Sequence, residues 1–250
     1  MRKTIAALIF CMAATACESS SAPPAPSAQL GNTMSGAVSK AILALPLIDS
    51  TGHFRRLSDY AGKIIVIDPI LTLCQETCPL DTTAFTQVAR STAASPAANK
   101  VVFLTISVDP ARDTPVQLAA YRKLYGDVSP NWVLLTGQPA VIERLWKYFG
   151  VWVQRVGEDR LVRNWRTGQK LTYDVNHGDD VIFIDARGQE RFIIQGAPDV
   201  HGSKLPSALM TFMDSQGITN LKHPNTQAWT IVQALSVVSW LAATPIASVH

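Results

Sequence analysis

The chain is 250 residues long, 47% hydrophobic and 16% charged, with 22 Lys and Arg against 19 Asp and Glu. That is enough apolar material for one sizeable globular core. Without Arg2 and Lys3, which stand in a leader-like start, the balance is 20 basic (22 − 2) to 19 acidic groups. This excludes a strongly basic surface, so no nucleic-acid partner is expected.

In chain order, the basic start leads into an apolar stretch at residues 5–14 and then Ala14-Thr15-Ala16-Cys17. The outline is that of a bacterial export signal. Small residues just before a cysteine form a lipobox pattern, in which Cys17 becomes the acylated first residue of the mature chain. The apolar run is short for a full span, which needs about 20 residues. Residues 1–17 are therefore expected to place a lipoprotein on the extracytoplasmic, periplasmic face of a bacterial membrane. Residues 18–36, rich in Ser, Ala and Pro, read as a flexible tether.

From residue 37 the pattern is that of an α/β domain, expected to extend to residue 217. Residues 64–67 form a β-branched strand, and a helix follows Pro79 with Phe85, Val88 and Ala89 on one buried face. Residues 101–108 read as a buried strand of a parallel sheet. Asp113-Thr114-Pro115 then supplies an N-cap and first-turn proline for a helix bearing Leu118, Tyr121, Leu124 and Tyr125, which stops at Gly126. A third helix at 140–149 carries Ile142, Leu145, Trp146 and Phe149 and stops at Gly150. Residues 152–173, charged and punctuated by glycine, read as an inserted hairpin arm. Residues 181–185 and 190–194 flank Ala186-Arg187-Gly188 as an antiparallel hairpin. A last domain helix is expected over 203–215, ending at Gly217.

This order is that of a thioredoxin-like layer structure, with helices on both faces of a central mixed sheet. Residues 218–250 are expected as an extension. Within it, residues 229–249 are uncharged and predict a hydrophobic helix that packs on the domain or lies at the membrane surface rather than spanning it.

Cys11 and Cys17 lie in the leader, which leaves Cys74 and Cys78 as the only pair in the folded domain. The motif Cys74-Gln75-Glu76-Thr77-Cys78-Pro79 puts two thiols four residues apart at the start of a helix, facing one side. A helix N-terminus favours the thiolate of each. Thiolate is both the nucleophile of disulfide exchange and a soft ligand for Cu(I), so the pair alone leaves reductase and copper site open. A permanent disulfide here closes too short a loop to stabilise the fold much.

Three stretches in succession resemble the Sco/SenC family: Cys74 to Pro79, then Ser107-Val108-Asp109-Pro110-Ala111-Arg112-Asp113-Thr114-Pro115, then Tyr173-Asp174-Val175-Asn176-His177 before Phe183-Ile184-Asp185. The resemblance covers about residues 45–215. It implies a thioredoxin-like copper chaperone holding one copper per chain, Cu(I) or Cu(II), through Cys74, Cys78 and His177. It also implies assembly of the dinuclear copper centre in subunit II of cytochrome c oxidase, or service to another copper-accepting oxidase. A thiol reductase becomes a further partner if the dithiol cycles, and the competing reading is a thiol-disulfide oxidoreductase that needs no His177. His53, His201, His223 and His250 fit no motif; His201, beside Asp199, is the one spare ligand to test. Asp109, Arg112 and Asp113 read first as turn and capping residues, and second as support for the metal loop. The family's aromatic segment before the first cysteine and its proline just after are replaced here by Asp68-Pro69-Ile70 and Gln75.

Overall fold

The structure, a computed structural model, describes residues 22–158 and 160–249. The expected export signal and the lipidation position Cys17 lie outside the described residues.

The strands are β1 (Gly31–Thr33), β2 (Leu47–Asp49), β3 (Phe54–Arg55), β4 (Ile64–Ile70), β5 (Val101–Ser107), β6 (Trp132–Gly137), β7 (Val153–Gly157), β8 (Tyr173–His177), β9 (Asp180–Ile184), β10 (Glu190–Gln195), β11 (Pro198–Asp199) and β12 (Trp229–Thr230). The helices are α1 (Lys40–Leu43), α2 (Cys78–Ala93), α3 (Pro115–Leu124), α4 (Pro139–Phe149), α5 (Ser207–Phe212), α6 (Ser215–Lys222) and α7 (Ile231–Ala242). Eight strands form one sheet in the order β1-β10-β9-β4-β5-β6-β2-β3. Its centre, β4-β5-β6, is parallel, while β9 joins β4 and β2 joins β6 antiparallel. This is the expected mixed sheet of a thioredoxin-like fold.

Both faces of the sheet are covered, which is why β4 and β5 are buried, and mostly apolar, at every position rather than at alternate ones. Ile64 and Val66 of β4 face a cluster with Leu80, Phe85 and Val88 of α2 and Leu118 and Tyr121 of α3. The intervening Ile65 and Ile67 face the opposite cluster, with Ile142, Leu145 and Trp146 of α4. Thr114 caps α3, its side chain accepting from the Gln117 N–H, with Pro115 in the first turn. Gly150, at φ 75°, ends α4 in the left-handed region, where a side chain is disfavoured.

The inserted arm is the antiparallel ribbon β7-β8, a separate two-stranded sheet in which Val153 faces His177. It leaves the main sheet after α4 and returns into β9.

Three boundaries differ from expectation. Gly31–Thr33, within the segment expected as a tether, pair antiparallel with β10. A ladder of backbone hydrogen bonds needs no large side chains, and it covers what would otherwise be an open sheet edge. The helix expected at 203–215 is two short helices, and Asp214 between them caps α6, its side chain accepting from Gly217 N–H. Gly217 therefore lies inside α6, not past a helix end. The domain also does not close at residue 217. β12 pairs with β11, Trp229 donates its indole N–H to Gly196 O at 2.7 Å, and α7 packs on α2, burying Ala234, Leu235, Val237 and Val238 in the core. The tail is thus a helix packed on the domain, and among the described residues no helix is long and apolar enough to cross a membrane.

Candidate metal and redox centre

β4 ends at Ile70, and a short loop carries Cys74 to the start of α2, whose first residue is Cys78. Both cysteines are free thiols. The Cys74 sulfur, partly exposed, accepts from the N–H groups of Glu76 at 3.4 Å and Cys78 at 3.5 Å. The hydrogen bond from the Cys78 thiol, with these N–H groups, holds the Cys74 thiol below its ordinary range. Burial pushes Cys78 the other way, well above that range, and its bond to Cys74 adds to the shift. The helix N-terminus was expected to favour both thiolates. It favours one, because for the fully buried Cys78 desolvation of the charged form outweighs the helix dipole.

His177 ends β8, and its imidazole reaches the helix start from 99 positions away in sequence: Nε2 lies 3.3 Å from the Cys78 sulfur. The other ring nitrogen, Nδ1, is 3.0 Å from Gly178 O. A carbonyl can only accept, so Nδ1–H donates to it, and Nε2 is the ring nitrogen turned toward the thiols. Among the described residues no three His, Cys, Asp or Glu side chains are gathered as a ready-made metal cluster. Instead Cys78 is shared by two contacts, one with Cys74 and one with His177. Metal–thiolate bonds of about 2.3 Å and metal–imidazole bonds of about 2.0 Å put S and N on one ion roughly 3.5 Å apart. The observed 3.3 Å lies near that separation, so the donor set fits a soft metal ion.

The turn after β5 braces both halves of this site. Asp113 is fully buried and does not cap α3. Its carboxylate accepts from Thr72 N–H, from the Thr72 hydroxyl at 2.6 Å and from the Ser107 hydroxyl at 2.6 Å, which ties the cysteine loop to the end of β5. Arg112 pairs with Asp109 and donates to Tyr173 O at 2.6 Å, at the start of the strand that carries His177. Its guanidinium lies 3.8 Å from the Tyr173 ring centroid, and the Arg155 guanidinium lies at 3.3 Å. The arm contributes Trp165, which donates to Thr72 O at 2.7 Å. Capping therefore explains Thr114 alone, and the three charged residues support the site.

Asp113 has a measurable consequence. Burial pushes its carboxyl up to about 7, against the opposing hydrogen bonds from Ser107 and Thr72. Unfolded, it titrates near 3.9. Between those values the native chain holds a proton that the unfolded chain has released, so this group's contribution to stability falls as pH rises from about 4 to about 7 and is level above. Its full size is roughly 4 kcal/mol. Asp113→Asn, with no proton to exchange, is expected to flatten the stability–pH curve across that window. Urea unfolding at pH values spanning it checks the result, and an unchanged slope refutes it.

Sequence reasoning missed two features of the surroundings. Asp68 and Asp81 are both buried, each with one oxygen lacking a hydrogen-bond partner, and burial followed by the nearby Asp179 holds both carboxyls well above the usual range. For Asp68 the signal was a polar residue inside the apolar run of β4. Gly217 of α6 packs so closely on the cysteine loop that a Cβ there would lie 2.3 Å from Gln75 O, a contact with no local sequence signal. His201 borders a pocket with Gln87 and Arg90 of α2. Gln87 is about 13 Å along the helix from Cys78, which sets His201 apart from the two cysteines.

Fold and site together define a thioredoxin-like domain in which a strand-to-helix dithiol is met by an imidazole from an inserted hairpin. The SCO1/SenC family model matches residues 41–201, and the chain belongs to that family. It is 28% identical over 154 residues to a SCO2-like protein of Rickettsia felis, a match covering 61% of this chain and 69% of the relative. To the mitochondrial SCO2 homolog of Bos taurus it is 31% identical over 106 residues, covering 42% of this chain and 39% of the relative. A solved structure from Aquifex aeolicus, described as a putative electron transfer protein, superposes with a TM-score of 0.53 at 22% identity, over 66% of this chain and 86% of that one.

Proposed function

We propose that this protein is a copper-binding metallochaperone, with Cys74, Cys78 and His177 as ligands to one copper per chain. It delivers copper to the dinuclear centre of subunit II of a cytochrome c oxidase, at the extracytoplasmic face of a bacterial membrane to which a lipid on Cys17 anchors it. The observation that carries this reading is the imidazole, buried beside the thiols, whose Nε2 lies 3.3 Å from the Cys78 sulfur while Nδ1–H is held by Gly178 O. A working dithiol needs no such group. Family membership supports the same reading. Two thiolates and one imidazole suit Cu(I) and also hold Cu(II), and three ligands leave one side open for an acceptor's ligands to attack before the donor's have left.

The chain's own residues supply the rest. Cys74 is held below the ordinary thiol range and Cys78 well above it, so Cys78 is the harder of the two to deprotonate, and loading, which needs both as thiolates, releases protons to solvent.

The asymmetry of the two thiols favours a second reading, a thiol-disulfide oxidoreductase. Cys74 thiolate attacks a partner disulfide, forming a mixed disulfide and expelling one partner thiolate. Cys78, once deprotonated, attacks Cys74 and expels the second, so two electrons and two protons reach the partner.

Copper stoichiometry on the reduced full chain separates the two readings. We expect one copper per chain, lost in Cys74→Ala and Cys78→Ala, and bound at least ~100-fold more weakly in His177→Ala, which retains disulfide exchange. No tight copper in the parent, together with a readily exchanged Cys74–Cys78 disulfide, overturns the chaperone reading in favour of the oxidoreductase.

A further inference from the structure

The residues between the two cysteines are held from two sides, by α6, which has no part in the ligand set, and by the arm. Asp214 N–H donates to Gln75 O at 3.1 Å. Gly217, one turn on, lets α6 close on that carbonyl and on the Glu76 Cα, where a Cβ would lie at 2.3 and 3.1 Å. From the arm, Glu158 accepts from the Gln75 side-chain amide at 3.5 Å. Arg160 then joins the arm to α6, pairing with Glu158 at 3.0 Å and with Asp214 at 2.7 Å. The Glu158 and Asp214 side chains are 2% and 15% exposed and that of Arg160 49%, so the carboxylates form the sheltered side of the bridge. α6 lies wholly beyond residues 41–201, the part that matches the family model.

We propose that α6 and the Glu158–Arg160–Asp214 bridge form a clamp on Gln75 and Glu76 that sets the balance between the dithiol and the disulfide of Cys74 and Cys78, favouring the dithiol.

The physical reason lies in where the clamped turn points its donors. The Glu76 and Cys78 N–H groups meet the Cys74 sulfur at 3.4 and 3.5 Å. A disulfide sulfur accepts such bonds far more weakly than a thiolate does, so a turn fixed in this shape stabilises the reduced state and makes the pair more oxidising. The open dithiol is also the form that can take a metal. Arg160, Glu158, Asp214 and Gly217 are positioning residues: they act on the thiols through the backbone of Gln75 and Glu76.

The inference rests on Cys74 and Cys78 being a working dithiol and not on copper, so its test is run metal-free with a chelator present. The equilibrium measured is protein dithiol plus oxidised glutathione giving protein disulfide plus two reduced glutathione. Arg160→Met, on a side chain 49% exposed, removes the bridge without opening the core. We expect it to raise that equilibrium constant at least threefold, and Glu158→Gln to shift it in the same direction. Arg163→Met is the control: Arg163 lies on the same arm, and among the described residues its side chain bonds to Gly168 O, within the arm's own tip. Urea unfolding of each variant runs alongside, so that Glu158→Gln decides the matter if Arg160→Met fails to fold. An unchanged or lowered constant, an equal shift in the control, or a pair that does not close in the parent chain overturns the proposal. The copper reading stands or falls separately, on stoichiometry.

Discussion

A chain truncated after residue 228 is expected to lose its cooperative fold. The segment removed carries Trp229, Leu235, Val237 and Val238, each at most 2% exposed, in one cluster with Phe85 and Val88 of α2 and Phe183 of β9. Burying a large apolar side chain contributes about 1.5–3 kcal/mol, so these four together contribute roughly 6–12 kcal/mol. That is comparable with the about 5–15 kcal/mol by which whole domains are stable. The truncation also uncovers the outer face of α2, the helix that presents Cys78. Near-UV circular dichroism and urea titration check the outcome. A truncated chain that unfolds cooperatively within a few degrees of the parent would show that α7 is an appendage.

Gly217→Val should be less damaging than the truncation but still destabilising, for a reason opposite to the usual one. Replacing a mid-helix glycine ordinarily stabilises, by up to about 1 kcal/mol for alanine and less for valine. Here the added carbon meets the backbone carbonyl of Gln75 at 2.3 Å, and a carbonyl cannot turn aside as a flexible side chain can. Overpacking of this kind costs about 1–3 kcal/mol or more, and the gain in helix propensity does not offset it. The expected drop in thermal midpoint is roughly 2–12 °C, at about 2–4 °C per kcal/mol for a domain of this size. Because the displaced carbonyl sits between the two cysteines, disulfide exchange with glutathione changes as well. A variant as stable as the parent, with unchanged exchange, would mean that α6 does not bear on the loop.

Neither effect was settled by sequence reasoning, since α7 meets α2, and α6 meets the cysteine loop, only in space. The same holds for Asp113. Its place in Asp113-Thr114-Pro115 matches a helix cap, and only the fold reveals that Thr114 caps while Asp113 reaches back to Thr72, 41 positions earlier. Short polar side chains serve caps and long-range braces equally well, and local sequence does not distinguish the two.

What the sequence determined by itself was whatever depends on local periodicity and end signals. The apolar, β-branched runs at 64–67 and 101–108 marked the doubly covered strands β4 and β5. Proline at 115 and glycine at 150 marked helix ends through their fixed or permissive backbone angles. The order of elements followed, and with it the thioredoxin-like layering and the dithiol at a strand-to-helix junction. Tertiary structure alone decided which thiol is favoured as thiolate, because burial, which nearby sequence does not encode, outweighs the helix terminus at Cys78. It also brought His177 onto the Cys78 sulfur through the return strand of an inserted arm. And it made a core element of the apolar tail, whose composition suited a membrane surface equally well: apolar side chains need only leave water, and it is the exposed flank of α2 that takes them in.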